Sequence, residues 1–568
     1  MPKTYLSLDI GKSQTQAWLF AQRQGAWAVR GAASVPTILE GDGSQFRKNI
    51  QLLLSQIARF DDVRLLDDNG QITNIRRLNG APAFISLSMS AGKPIRTALI
   101  GLSEAFSIAP LRRLVSLFNC EVVLEVNLQD NLNATAQLER LLTGDVELYV
   151  IGGGANGGAQ KALKAAIDNL RLVYHLIPQA IRPQIVYCGN QDLAEYAQNE
   201  IEAGLDMHLA SNIQTNPGQE DPTLVWKAML KAFERLRLQQ IPGLADVVND
   251  LHTRVIPSDF SAGRMVRFLE QSSENGKGVL MLRVDGDSVS VIAARDHKLN
   301  GICHQVQVND AALGVARGFS HQLTDVSSFA TYIYNRTLFP DYTPATLEDL
   351  SIEQAWTRVR IREALSALQK LDPDFGYNPS LGLTCAYEPI ILSGSEMHRA
   401  LPHQGLMIAL DSILPHGITT ILQDENQLLA ALGTLAPIEP LLPVQVMDTD
   451  VFTNLATIIS VDTLASEGQK VLQIEVDEGE QTPRLFHKVK TGELKRIETL
   501  LNGRTELYLA PEDESDIGMG MPGLGGWVGV MDSKVGVVVD ARGRPLKLPV
   551  DDIARAEALR NWLWELGG

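Results

Sequence analysis

Residues 1–270 alternate short apolar runs with amphipathic stretches, and this alternation restricts the chain to an α/β architecture. The apolar runs have the length of strands, and the amphipathic stretches have the spacing of one helical face. Strands are expected at Tyr5–Ile10, Gln16–Phe20, Ala83–Ser88, Thr97–Leu102, Val122–Val126, Leu148–Ile151 and Ile185–Tyr187. Helices are expected at Ser44–Phe60, Ala109–Phe118, Ala159–Leu172, Asp192–Ala203 and Pro222–Gln239.

The second half of the chain starts the same theme again after a polar stretch at 272–277. A strand pair is expected at 279–293, and short apolar runs separated by glycine, proline and acidic turns favour β structure from 444 to 548. The final element, 551–566, has acids in its first turn and glycines after it, which is typical of a capped helix. We therefore expect a first domain at 1–272 with an inserted α/β segment, a second domain at 273–440, a β-rich module at 441–548 and a terminal helix at 549–568.

The net charge of the chain indicates which classes of partner are not expected. Its 568 residues include 50 basic and 67 acidic side chains, a net charge of −17. Nucleic acids and anionic membranes need clustered lysine and arginine, so neither is expected as a main partner. The first residues do not have the pattern of a signal peptide, and no apolar run approaches a membrane span. The four cysteines are far apart in sequence, which predicts reduced core residues in a cytoplasmic protein.

The first motif that could carry chemistry runs from Asp9 to Thr15, between two expected strands. A strand that ends in aspartate, followed by a turn with glycine and hydroxyl residues, can present backbone N–H groups to a phosphate. The carboxylate of Asp9 would face a phosphate-bound Mg²⁺, usually through water. Lys12 would add a positive charge. An ordinary hairpin turn is the alternative, because aspartate, glycine and serine are also common turn residues.

The sequence Asp285-Gly286-Asp287-Ser288 is a second strand–turn–strand segment, and it opens the second half. Two such hairpins at the starts of two halves suggest two related domains that hold a nucleotide's phosphates from both sides of a cleft. A simple Asp-Gly hairpin turn explains this segment equally well.

Two further glycine-containing turns follow expected strands. Residues 152–158, which include Gly153, Gly154 and Asn156, precede a helix and could bind an anion, or could be a tight turn needed for close packing. The turn at Gly394 and Ser395 could let the backbone approach a ribose or adenine ring.

The order of these segments resembles the actin, Hsc70 and sugar kinase (ASKHA) superfamily, and more closely the glutamate-mutase-associated MutL proteins of the GlmL type. Residues 88–92 and 95–102 resemble that family's S-A-x-G-G-L-R and G-L segment, and residues 152–158 its G-G-T-D-G-G turn. Residues 186–192 resemble its V-Y-A-G-N-x-D segment, and Leu313-Gly314 its D-L-G step. The resemblance covers about residues 4–436. Lys12, Asp287, Ala155 and Asn156 depart from the family's phosphate turns.

The resemblance implies two actin-like (ribonuclease-H-like) domains around a nucleotide cleft, with ATP or ADP and Mg²⁺ as ligands and at most a weak ATPase activity. It also implies a chaperone-like or reactivating role toward a partner enzyme such as a cobalamin-dependent mutase. The altered turns keep open a nucleotide-free scaffold of the same fold, and a small-molecule kinase is the third possibility. In the nucleotide reading, Asp9 and Asp287 are the catalytic candidates, with Asp9 also facing the metal. The nucleotide-binding candidates are Gly11, Lys12, Ser13, Thr15, Gly153, Gly154, Asn156, Gly286, Ser288, Gly394 and Ser395.

Overall fold

The computed structural model describes residues 3–60, 63–130, 134–143, 145–158, 160–216, 219–339, 342–449, 451–477, 484–498 and 503–568. The chain divides into two compact units. Unit 1 comprises residues 1–262 and 430–445, and unit 2 comprises residues 263–429 and 446–568. Among the described residues, no helix is both long and apolar enough to cross a membrane.

Unit 1 contains twelve described strands, and its last helix continues into unit 2. The strands are β1 Thr4–Ile10, β2 Gln14–Arg23, β3 Ala26–Pro36, β4 Phe84–Met89, β5 Ile95–Gly101, β6 Cys120–Asn127, β7 Leu148–Gly153, β8 Gln184–Gly189, β9 Met207–Leu209, β10 Gln214–Asn216, β11 Gln219–Glu220 and β12 Val255–Pro257. The helices are α1 Ser44–Ile57, α2 Ala109–Val115, α3 Ala134–Thr143, α4 Lys161–Leu176, α5 Ala194–Ile201, α6 Thr223–Gln240, α7 Leu244–Leu251 and α8 Ser258–Ser272.

The first sheet of unit 1 has the order β12-β4-β1-β2-β3. Strands β1, β2 and β3 form an antiparallel meander, and β4 and β12 run parallel to β1. Every residue of the central strand β1 is buried, as expected for a strand that is covered on both faces. Its carboxyl end, together with those of β4 and β12, forms one edge of the sheet.

A second sheet of unit 1 is inserted in the sequence between β4 and β12. Its five strands are all parallel, in the order β6-β5-β7-β8-β9. Aliphatic residues of its strands and of the helices α4 and α5 form one core, which includes Ile151, Ile167 and Ile201. The insertion is therefore an α/β layer with its own hydrophobic core.

Unit 2 contains sixteen described strands. They are β13 Gly278–Asp285, β14 Ser288–Arg295, β15 Lys298–Gln305, β16 Tyr377–Asn378, β17 Gly382–Leu383, β18 Tyr387–Ser393, β19 Ile418–Gln423, β20 Thr453–Ser460, β21 Asp462–Thr463, β22 Lys470–Asp477, β23 Leu485–Lys490, β24 Leu494–Ile497, β25 Arg504–Pro511, β26 Ser515–Asp516, β27 Gly526–Met531 and β28 Gly536–Asp540. The remaining helices are α9 Asp310–Arg317, α10 Val326–Leu338, α11 Leu347–Leu371, α12 Ser395–Arg399, α13 Pro402–Ile413, α14 Leu428–Leu435, α15 Leu441–Met447 and α16 Asp552–Glu565, of which α14 and α15 each have residues in both units.

The main sheet of unit 2 repeats the topology of the first sheet of unit 1. Its first five strands have the order β15-β14-β13-β18-β19, with an antiparallel meander followed by two strands parallel to the first. The same 3-2-1-4-5 order in both units is the ribonuclease-H-like arrangement of actin-like proteins. The predicted fold class, two actin-like α/β domains with a strand-rich C-terminal region, is confirmed.

The strand-rich region after residue 444 is joined to unit 2 rather than attached as a separate module. Strands β20, β28 and β24 extend the main sheet to eight strands, and β28 runs parallel to β20. A four-stranded sheet, β23-β22-β25-β27, packs against these strands through a core that includes Ile459, Leu472, Leu507 and Val539. Residues 430–445 belong to unit 1, and residues 446–568 belong to unit 2.

A buried ion cluster ties the C-terminal strands to the helices of unit 2. The Arg542 guanidinium donates to Asp540 Oδ1 at 2.9 Å and to Asp411 Oδ1 at 2.8 Å, and Arg358 donates to Asp411 Oδ2 at 2.8 Å. The side chains of Arg542, Asp540 and Asp411 are fully buried. Burial alone would raise the pKa of the Asp540 carboxyl, but Arg542 and Arg544 hold that pKa well below its usual range.

The cysteines correct one expectation. All four are free thiols, but only Cys188 is buried; Cys120 and Cys303 are half-buried, and Cys385 is exposed. Burial raises the pKa of the Cys188 thiol to about 12. Cys385 is therefore a surface residue rather than a core residue.

Replacing Arg542 with alanine should lower the free energy of unfolding of unit 2 by about 3–5 kcal/mol, because two buried carboxylates, Asp411 and Asp540, would each lose one of their two guanidinium partners. Arg504→Ala is the matched control, since Arg504 pairs with Glu506 on an exposed face and its loss should cost less than about 1 kcal/mol. Urea unfolding followed by circular dichroism measures both values. Equal losses in the two variants would contradict the structural role of the Arg542 cluster.

Candidate functional site

Asp9 lies at the carboxyl end of β1, and only 7% of its surface is exposed. Its Oδ1 accepts hydrogen bonds from Ser88 Oγ at 2.6 Å and from Ser258 Oγ at 2.5 Å. Ser88 is the direct neighbour of Asp9 on the parallel strand β4, and Ser258 begins α8 directly after β12. Three adjacent parallel strands therefore end in one hydroxyl–carboxylate group. Sequence reasoning singled out Asp9 but missed both serines.

The turn after Asp9 is held by a residue of the next segment. Thr37 Oγ1 donates to the carbonyl of Gly11 at 2.8 Å, lies 2.8 Å from Thr15 Oγ1, and the Thr37 backbone N–H donates to the carbonyl of Ser13 at 2.9 Å. Thr15 is only 1% exposed. Thr15 and Thr37 thus hold the backbone of the turn after Asp9 in place. Lys12, which is half-buried, lies at the tip of the same turn.

The second predicted turn occupies the equivalent place in unit 2. Asp285 ends the buried central strand β13 and pairs with Ser288 across the hairpin. Asp285 Oδ1 accepts a hydrogen bond from Ser395 Oγ at 2.7 Å. Asp287 is exposed at the tip of the turn, where its carboxylate accepts a hydrogen bond from Gln305. The structure therefore brings together two turns that are 110 residues apart in the sequence.

A glycine is required at position 394, in the turn that follows β18. Its φ of +96° is in the left-handed region, and an added Cβ would collide with the carbonyl of Val284. The backbone of this turn therefore lies directly against the last residues of β13. Ser395, which is 5% exposed, is the next residue and begins α12.

A buried arginine joins the two turns of unit 2. Arg360 of α11 donates to the carbonyls of Gly286 at 2.8 Å and of Ser288 at 3.1 Å. Its other amino group donates to the Glu396 carboxylate at 2.8 and 3.0 Å, and this carboxylate directly follows Ser395 in the chain. The Arg360 side chain is only 4% exposed. Sequence reasoning missed Arg360 and Glu396; a charged residue at a core-facing position of a long helix was the available signal.

The charge of this cluster is balanced within unit 2. Arg336 donates to Glu353 at 3.1 Å and to Glu396 at 3.2 Å. Burial and the neighbouring Glu396 carboxylate raise the pKa of Glu353, while Arg336 and Arg360 oppose the rise. Two guanidinium groups therefore face two carboxylates, so the cluster adds no net positive charge to the site.

A cavity of about 580 Å³ opens beside this cluster in unit 2. Its wall includes Gln354, Thr357, Glu396 and Met397. The Gln354 Nε2 atom is buried and finds no hydrogen-bond partner among the described residues. A cavity of this size with a few polar groups suits a ligand of nucleoside size.

The glycine-rich turn at 152–158 lies in the inserted sheet, away from the Asp9 turn. Strand β5 begins beside Asn119, whose side chain bonds the Ser90 carbonyl near the end of β1, and runs away from that point. Since β7 is parallel to β5, Gly153 lies at the far end of the inserted sheet, about 20 Å away at roughly 3.3 Å per residue. The structure therefore does not bring Gly153, Gly154 and Asn156 together with Asp9.

The glycine-rich turn is also satisfied by its own surroundings. The Gly157 N–H donates to Asp192 at 2.9 Å, and Asn156 Oδ1 accepts from the Gln191 N–H at 3.1 Å and from Asn212 Nδ2 at 3.0 Å. A Cβ on Gly153 would meet Ser107 Oγ at 2.5 Å. An internal carboxylate thus occupies the position that we expected an anion to take. The turn closes the end of the inserted sheet.

A family model described as MutL protein matches residues 5–451. The chain belongs to the MutL protein family. The matched region begins in β1 and includes the inserted sheet, both aspartate turns and the Gly394 turn. The resemblance to glutamate-mutase-associated MutL proteins is thus confirmed. No curated protein matches the sequence at a significant level.

Solved structures with some similarity to this MutL-family chain include three proteins. They are an ATP-dependent caprolactamase from Pseudomonas jessenii (12% identity, 85% of this chain and 81% of the other, TM-score 0.34), a diol dehydratase-reactivating factor in nucleotide-free form (10%, 77% and 99%, 0.31), and a gluconate kinase from Lactobacillus acidophilus (11%, 80% and 93%, 0.30). Because these similarities are low, the function of the MutL-family chain has to be argued from its own residues.

Asp424, which directly follows β19, is expected to make the stability of unit 2 depend on pH. It accepts hydrogen bonds from Ser393 Oγ at 3.2 Å and from the Leu428 N–H at 2.9 Å, and burial raises its pKa to about 6. Because the folded state holds the proton more tightly than the unfolded state, stability should fall by about 3 kcal/mol as the pH rises from about 4 through 6. Asp424→Asn should remove this slope while keeping the accepting oxygen. Urea midpoints between pH 4 and 7 test it; an unchanged slope in the variant would contradict this assignment.

Proposed function

We propose that unit 2 binds ATP or ADP, with the adenosine beside Gly394 and Ser395 and the phosphates at the turn 285–288. The supporting observation is the pair of links that join these two turns, Ser395 Oγ to Asp285 and Arg360 to the carbonyls of Gly286 and Ser288. The cavity of about 580 Å³ beside Glu396 supplies room for a base. Among the described residues that line this cavity, Arg399 is the one lysine or arginine. The wall therefore offers little positive charge that would attract an unrelated anion.

We further propose that Asp9 of unit 1 takes part in binding Mg²⁺ through water. Both of its hydrogen bonds from serine hydroxyls go to Oδ1, so its second oxygen is not used by those donors. No group of three His, Cys, Asp or Glu that could hold a metal is present among the described residues. A single carboxylate fits Mg²⁺, which is usually held by one or two carboxylates and substrate phosphates. When bound, Mg²⁺ would supply hydrating water at the Asp9 carboxylate, which Ser88 and Ser258 hold in place.

The proposed biological role is nucleotide-dependent reactivation of a partner enzyme, and a cobalamin-dependent mutase is the partner that the family resemblance favours. Membership of the MutL protein family supports this role. Exchange of ATP for ADP at the Asp285–Ser395 link would change contacts only near that link. It could alter a partner-binding surface on unit 2 only through helices or strands that contact both turns. Helix α11 is such an element, because Arg360 contacts the turn and Glu353 lies two helical turns earlier.

The alternative, a scaffold that binds no nucleotide, is favoured by one observation. Asp287 places an exposed carboxylate at the tip of the turn where we propose the phosphates, and a carboxylate repels a phosphate at short range. A bound Mg²⁺ would offset this repulsion. The two proposals therefore differ in whether metal and nucleotide bind together.

Isothermal titration of the full chain with ATP and ADP, with and without Mg²⁺, tests the nucleotide proposal. Ser395→Ala should weaken ATP binding about tenfold, because it removes the hydroxyl that joins the two turns. Asn156→Ala is the matched control in the glycine-rich turn and should leave the affinity unchanged. Failure to detect binding at millimolar ATP would favour the scaffold.

Asp9→Asn should separate metal binding from nucleotide binding. The amide keeps the hydrogen bonds from Ser88 and Ser258 but loses the charge that holds hydrated Mg²⁺. We expect titration of the variant with Mg²⁺ alone to show no binding where the unmodified chain binds, while ATP binding measured in excess chelator stays the same. A Mg²⁺ effect of full size in the variant would contradict the assignment of Asp9.

A further inference from the structure

A second cavity of unit 2, of about 470 Å³, lies away from the candidate nucleotide turns. Cys385 and His416 line it, just before the amino ends of β18 and β19. Gly394 follows the opposite end of β18, and the seven residues of this strand separate the two places by about 20 Å. The cavity therefore cannot be part of the nucleotide site proposed for unit 2.

The cavity is formed where the actin-like part of unit 2 meets its C-terminal strands. Three residues of its wall pack closely, since a Cβ on Gly417 would lie 3.0 Å from the Cys385 Cβ and 3.3 Å from the Gly518 Cα. Tyr377 and Leu381 supply apolar surface on one side. The residues that line it are far apart in the sequence, from 369 to 518, so the cavity forms only when unit 2 is folded.

Two carboxylates on the other side of the cavity face each other across a strand pair. Asp462 and Asp516 are direct partners in the antiparallel pair β21–β26, and both line the cavity. Like charges that are directly opposite on neighbouring strands are destabilising. Among the described lining residues there is no lysine or arginine that would compensate them.

The remaining polar groups leave these carboxylates open to a positively charged ligand. Asp516 Oδ1 accepts one hydrogen bond, from the Gly518 N–H at 2.7 Å. His416 Nδ1 lies 3.7 Å from Asp462 Oδ2, and its Nε2 lies 2.7 Å from the carbonyl of Leu381. The Asp462 side chain is 52% exposed, so the acidic end of the cavity is accessible from solvent.

We propose that this cavity binds a small amphipathic organic cation. Its ammonium group lies between Asp462 and Asp516, and its apolar body lies against Tyr377, Leu381 and Cys385. The two carboxylates provide charge and hydrogen-bond acceptors, and the apolar part of the wall selects an amine with an aromatic or branched aliphatic body over a bare metal ion. This binding does not depend on the nucleotide proposal.

Phenethylamine is a suitable probe, and 2-phenylethanol is its matched control, because the alcohol has the same apolar body without the charge. The reporter is Cys385, an exposed thiol in the cavity wall, with the half-buried Cys303 of β15 as an internal reference. Iodoacetamide alkylation of the full chain is followed at each cysteine by peptide mass spectrometry. Phenethylamine should slow alkylation of Cys385 but not of Cys303, and the alcohol should have little effect.

Asp462→Asn and Asp516→Asn should each weaken phenethylamine binding about tenfold, the size of one charged hydrogen bond. Both variants should unfold at a temperature equal to or above that of the unmodified chain, since they remove a like-charge pair, so a folding defect is distinguishable from lost binding. ATP titration of the same variants should be unchanged. Equal protection by the alcohol, undiminished protection in both variants, or no protection at millimolar amine would each overturn the proposal.

Discussion

The arrangement of both candidate turns depends on one constraint: a buried carboxylate at the end of a central strand must receive hydrogen bonds. Asp9 ends β1 and Asp285 ends β13, and both are less than a tenth exposed. Burying a carboxylate without partners would cost several kcal/mol. Ser88 and Ser258 meet this need in unit 1, and Ser395 meets it in unit 2. In each unit the donors follow or end the neighbouring parallel strands, so the sheet order itself delivers them.

This constraint explains why local sequence patterns predicted the turns but not their partners. The strand–turn–strand patterns around Asp9 and Asp285 are local, spanning residues 5–20 and 279–293, and the predicted strand at Tyr5–Ile10 is observed as Thr4–Ile10. Ser258 and Ser395 are 249 and 110 residues away from the carboxylates that they contact. Such contacts are set by strand order, which a single sequence does not show. The contacts of Arg360 with the turn at 286–288 are also long-range, although its charge at a core-facing position of a long helix was a signal in the sequence.

The errors also have physical causes. The apolar runs after residue 444 correctly indicated strands, but strand pairing is non-local, and so the continuation of the main sheet through β20 and β28 was not visible. The glycine-rich turn at 152–158 has the composition of an anion site, yet Asp192 supplies the anion from within the chain. Cys385 was expected in the core because cysteine is often buried, but it precedes β18 at the rim of a cavity.

Arg360 has a consequence for how an acidic chain could hold a phosphate. Its guanidinium is neutralised by Glu396, so it contributes little positive potential. It does fix the carbonyl of Gly286, and in a planar trans peptide the N–H of the following residue points in the opposite direction. The N–H of Asp287 is therefore directed away from the buried arginine, toward the exposed tip of the turn. A buried cation that binds carbonyls can in this way orient a neutral backbone donor for an anion, which explains how the turn could serve a nucleotide in a chain with a net charge of −17.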